Sequence, residues 1–84
     1  MRLKVKEEGQ GLHPNEVVVS IATKDGAERL VVHKRALSAS ALEIGYPILA
    51  ENDEYLVELP RETMRGLWRV WVKKSAVMRE RETA

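Results

Sequence analysis

The run Glu16-Val17-Val18-Val19-Ser20-Ile21-Ala22-Thr23 and the Asp25-Gly26 pair behind it constrain this chain more than any other feature. β-Branched residues suit the pleated, half-buried surface of a sheet, and the alternation puts Val17, Val19 and Ile21 on one face. The segment Glu28 to Lys34, with Leu30 and Val32 on one face, folds back on it. Residues 17–33 are therefore expected to form a β-hairpin turning at Asp25-Gly26, since a type I′ turn needs residues that tolerate positive φ.

Period two recurs along the chain. Leu3 and Val5 alternate with Arg2, Lys4 and Lys6 and predict a short edge strand running into the flexible Gly9-Gln10-Gly11 stretch. Arg35 to Ala41 reads as a turn or a single helical turn. Leu42, Ile44, Tyr46 and Ile48 alternate as in a strand, which Pro47 confines to an edge or breaks, because proline cannot donate to a ladder. Glu51-Asn52-Asp53 then turns the chain into Glu54 to Leu59, with Tyr55, Val57 and Leu59 on one face, giving a second hairpin.

Residues 61–78 support two patterns. With period two, Trp68, Val70 and Val72 point inward while Arg69, Trp71 and Lys73 point outward. With period 3.6, Met64, Leu67, Trp68, Trp71, Val72 and Met78 form one apolar stripe. Gly66 disfavours a helix by about 1 kcal/mol, and the run 67–72 is aromatic and β-branched, so the strand is preferred. No internal repeat is evident, and the two Arg-Glu-Thr triplets at 61–63 and 81–83 are too short to make one.

The expected fold is thus all-β, a small SH3-like barrel or curled antiparallel meander of five to six strands. The alternative is α+β, two hairpins packed on a C-terminal amphipathic helix. At 84 residues, 44% apolar and 32% charged, the chain has the size and composition of one small domain, taken as 1–78 with a flexible charged tail at 79–84. With no cysteine it has no disulfide framework, and with no 20-residue apolar run or signal-peptide core it is expected to be cytoplasmic and off the membrane.

The chemistry expected is binding and not catalysis. His13 and His33 are isolated from each other and from carboxylates at ligand spacing, so no metal site is expected. Ser38, Ser40 and Ser75 lie in no nucleophile elbow, and Gly9 and Gly11 precede His13-Pro14 where a phosphate loop would need a helix. No catalytic or cofactor-binding set emerges.

The net charge of +1 conceals a skew: residues 1–60 hold seven Lys/Arg against ten Asp/Glu, and 61–84 hold seven against three. Arg65, Arg69, Trp71, Lys73 and Lys74 are accordingly the candidate partner-binding residues, a basic surface with an indole suited to nucleic acid or another acidic partner. The alternative is a protein-interaction or assembly domain whose exposed strand edges pair with another chain, a homo-oligomer included.

The stretch Val19 to Gly26 and then Val32-His33-Lys34-Arg35-Ala36-Leu37-Ser38-Ala39-Ser40 resembles the opening of a BTB/POZ domain. There a D-G hairpin leads into a V-H-K-x-x-L-S helix start. The later Val57-Glu58-Leu59-Pro60 with Met64, Leu67 and Trp68 is similar to that family's strand-then-helix step. The resemblance implies a helix beginning near the serines and a role in protein assembly. The chain has no phenylalanine, which that family uses after the serines.

Overall fold

The hairpin expected at residues 17–33 is the longest feature of the computed structural model, which describes residues 1–78; the tail expected at 79–84 lies outside the described residues. The strands are β1 (Arg2–Lys4), β2 (Lys6–Gln10), β3 (Glu16–Thr23), β4 (Gly26–His33), β5 (Leu37–Ser38), β6 (Ala41–Glu43), β7 (Leu49–Glu51), β8 (Glu54–Glu58), β9 (Arg69–Lys73) and β10 (Val77–Met78). Single 3₁₀ turns at Lys34–Ala36 and Lys74–Ala76 separate β4 from β5 and β9 from β10.

The fold is all-β, in three antiparallel sheets ordered β10-β1-β6-β5, β2-β3-β4 and β7-β8-β9. Among the described residues there are ten short strands in place of five to six, and the sheets do not close into a barrel. The α+β alternative and the helix implied by the BTB/POZ resemblance are both overturned. Residues 69–73 are a strand, and residues 34–43 are a 3₁₀ turn followed by two short strands.

Other expectations also need correction. β1 lies in the middle of its sheet and not at an edge, because β6 and β10 flank it. The Leu42 to Ile48 strand is broken: β6 ends at Glu43, Pro47 lies in the gap, and β7 resumes at Leu49. In the first hairpin Thr23 opposes Gly26, so Lys24 and Asp25 make the turn. Gly26 alone of the turn residues takes a left-handed φ, +117°. The turn is thus one step earlier than expected, with the glycine placed as in a bulge behind a tight turn.

The strand order also contains the repeat that the sequence conceals. Residues 1–38 run β1-β2-β3-β4-3₁₀-β5, and residues 41–78 run β6-β7-β8-β9-3₁₀-β10. The pairing obeys the same correspondence. Val19 opposes Leu30 as Val57 opposes Val70, and Leu37 opposes Leu42 as Val77 opposes Leu3. β1 and β6, which correspond, pair with each other about Leu3 and Leu42. The Val5 N–H donates to the Ser40 carbonyl at 3.1 Å, and the Ile44 N–H to that of Met1 at 2.8 Å. Such reciprocal pairs are what a two-fold axis through the Leu3–Leu42 pair generates.

The core follows the same rule. Leu3 and Leu42, Val5 and Ile44, Val19 and Val57, Ile21 and Leu59, Leu30 and Val70, and Val32 and Val72 are corresponding pairs, all buried. Each half supplies one side of one hydrophobic core. Burying such a side chain stabilises by about 1.5–3 kcal/mol, which is why these positions stay aliphatic while their neighbours vary.

Gly26→Val is expected to destabilise the domain by about 1 kcal/mol or more, because a β-branched residue is strained at positive φ. The space around Gly26 is open, so no clash contributes. A denaturant melt of the variant superimposing on the wild type would contradict the turn geometry.

Candidate functional site

The two halves differ chiefly in their loops. In the first half β2 and β3 are joined by residues 11–15, while β3 and β4 are joined by the tight Lys24-Asp25 turn. In the second half the lengths are reversed: β7 and β8 are joined by Asn52-Asp53 alone, whereas residues 59–68 join β8 to β9. The two long loops meet. Leu12 and His13 from one, and Pro60, Arg61, Glu62, Met64 and Trp68 from the other, line an open groove of about 560 Å³ floored by Val31 and Glu16.

The 59–68 loop is held against β4 of the first half. The Met64 N–H donates to the Arg29 carbonyl at 2.7 Å, and Arg61 Nη1 donates to the Val31 carbonyl at 3.2 Å while lying 3.8 Å from Glu16 Oε2. Buried Thr63 organises the loop from inside, its hydroxyl oxygen accepting from the Arg65 and Leu67 N–H groups at 3.3 and 3.1 Å.

Glu28 is the buried acid of this contact, only 2% exposed. Its Oε2 accepts from Arg65 Nε at 2.9 Å and Nη2 at 2.5 Å, while its buried Oε1 has no hydrogen-bond partner among the described residues. The Arg65 hydrogen bond holds the Glu28 carboxyl below its usual 4.5, prevailing over burial, which pushes it up; the Thr63 hydroxyl and the Arg65 charge act with the hydrogen bond.

Of the five sequence-predicted residues, Arg69, Trp71 and Lys73 alternate with buried Val70 and Val72 along β9, while Arg65 lies in the 59–68 loop and Lys74 in the second 3₁₀ turn. Arg65 is engaged with Glu28, and Arg69 lies 3.7 Å from Glu58. Lys74 Nζ sits 5.1 Å from the centre of the Tyr55 ring. Lys73 opposes Glu54 across the β8–β9 ladder. Trp71, opposite Leu56, is half-buried, and its carbonyl accepts from the Lys24 N–H at 2.9 Å. Arg69 and Lys73 face outward as expected and Val70 and Val72 inward.

The tryptophans need correction. Period two places Trp68 inside, yet it is 51% exposed. It has the parity of Val70 and Val72 but precedes β9, and there the second half turns into the long loop instead of continuing as core. Its counterpart in the first half is Glu28, so neither half places an aliphatic residue at this position.

By local pattern Leu12 belongs to a loop, Met64 to an apolar stripe and Trp68 to the core. Their common location on the groove depends on two loops far apart in sequence, and no local pattern signals it. His33 caps the first 3₁₀ turn, its Nδ1 accepting from the Arg35 N–H at 3.1 Å. His13 lies on the groove wall.

Because the folded-state carboxyl of Glu28 is depressed, its contribution is present above about pH 4.5 and is lost as pH falls through the folded value. Arg65→Ala is expected to destabilise the domain at pH 7 by about 1 kcal/mol, kept small because Arg65 is largely in solvent. The gap between variant and wild type should narrow at about pH 3 as the carboxyl protonates. Denaturant melts at both pH values check this, and an undiminished gap in acid would show that the ion pair is not what Arg65 supplies.

Comparison of the chain with protein families, with characterised proteins and with solved structures gave no match, so the BTB/POZ resemblance gains no support from family comparison.

Proposed function

We propose that this chain is a non-catalytic binding module and that it engages an extended segment of another polypeptide in the Trp68 groove. One observation carries the reading: each half has a long loop where the other has a tight turn, and those two long loops converge on one open groove. Leu12, Met64 and Trp68 stand 95%, 61% and 51% exposed around it. Neighbouring apolar side chains left in water on a small domain are a usual mark of an interaction site. Tryptophan adds a large amphipathic surface, the kind that dominates binding energy when a partner covers it.

Charge supports a peptide over a nucleic acid. The groove carries Glu16 and Glu62 as well as Arg61 and His13, with no excess of cations. Of the basic residues singled out from sequence, Arg65, Arg69 and Lys74 already have an acidic or aromatic neighbour. A partner recognised by phosphates would have to compete with those contacts.

The test uses a peptide selected from a random display library on the wild-type chain, alongside a single-stranded oligonucleotide. Peptide affinity is expected to fall by about tenfold or more in Trp68→Ala, as for a hot-spot aromatic, and to change little with salt. Failure to select any peptide sensitive to Trp68→Ala would overturn the reading. So would oligonucleotide binding that falls steeply between about 50 and 200 mM salt, is weakened by Lys73→Ala and is indifferent to Trp68→Ala; that would favour the basic surface.

A further inference from the structure

We propose that the chain exchanges halves with a second copy of itself, opening at Ala39-Ser40 and re-forming the β1–β6 pairing between two chains. The contacts that join the halves are non-covalent: the reciprocal strand pairs β1 with β6, β1 with β10 and β5 with β6, and the 59–68 loop on β4. A second copy offers the same strands in the same register, so an exchanged pair satisfies every one of them. The covalent link between the halves is the turn joining β5 to β6.

That turn holds backbone strain. Ala39 and Ser40 sit at φ +53° and +63°, both left-handed and neither a glycine. L-residues with a Cβ are disfavoured there, and glycine and asparagine are the usual solution at such a hairpin. A straightened linker releases both residues, and exchange across a short strained hinge is a recognised route to a dimer. The exchange also has a functional consequence. Each groove would take Leu12 and Val31 from one chain and Met64 and Trp68 from the other, so the dimer presents two composite sites.

The experiment is refolding of the full chain from denaturant at high protein concentration, followed by size-exclusion chromatography with light scattering. The wild type should yield a separable dimer beside the monomer. Ala39→Asn with Ser40→Gly, which relaxes the turn, should lower the dimer fraction by about tenfold. Ala39→Val with Ser40→Val should raise it. Connectivity is read with Arg2→Cys and Glu43→Cys, positions that oppose each other across β1 and β6 in a chain without native cysteine. Oxidised dimer of that variant should remain covalently dimeric on a denaturing, non-reducing gel. A wild type that refolds only to monomer overturns the proposal, whatever the valine variant does. A dimer whose disulfides lie all within single chains overturns it as well, since the copies would then meet through another surface.

Discussion

The antiparallel pairing of β1 with β6 about Leu3 and Leu42 is the contact on which the rest of the structure depends. Neither half closes its own sheet: β5 ends the first half beside β6, and β10 ends the second beside β1. A half on its own would leave β1 or β6 with unpaired backbone groups and half a core in water, both costly. The halves are therefore one folding unit. Leu3 and Leu42 are both fully buried, as the residues nearest the centre of such a joint must be.

A duplicated framework of this kind separates the residues that build from those free to differ. Six corresponding core positions keep aliphatic side chains in both halves, while core Val17 returns as half-buried Tyr55. The loops diverge, and their divergence is complementary, since each half is long where the other is tight. That complementarity places the 11–15 and 59–68 loops side by side, and the long loop can then lie on β4 through Arg61, Thr63, Met64 and Arg65. The candidate site is thus a product of broken symmetry, and the Glu28–Arg65 pair ties the long loop that lines it to β4.

Much of the fold is legible in the sequence where a strand makes its own argument. The period-two runs of β3, β4, β8 and β9 mark Val17, Val19, Ile21, Leu30, Val32, Val57, Val70 and Val72 as core from their alternation alone, and all are buried. What escapes are features set by distant partners. β1 looks like an edge from its own three residues, and only β10, at the far end of the described chain, makes it central. The repeat is hidden because it is carried by pairing and by type of residue: Val32, Lys34 and Ala36 return as Val72, Lys74 and Ala76, yet Glu28 returns as Trp68 and the tight turn as a ten-residue span. The basic residues are visible as charges, but their neighbours Glu28, Glu58 and Tyr55 lie on other strands. Sequence shows which side chains could bind a partner and not which are already occupied.

The central claim, that two corresponding halves stand only as one unit joined at β1 and β6, is tested most directly by native-state amide hydrogen exchange on wild type and Leu42→Ala. The substitution removes a fully buried side chain opposite Leu3 and should cost about 2–5 kcal/mol. The account predicts that the most protected amides of the β3–β4 hairpin and of the β8–β9 pair open with the same free energy, and that both lose the same amount in the variant. Retention of wild-type protection in β3–β4 while β8–β9 is lost would contradict it, because the first half would then be standing alone.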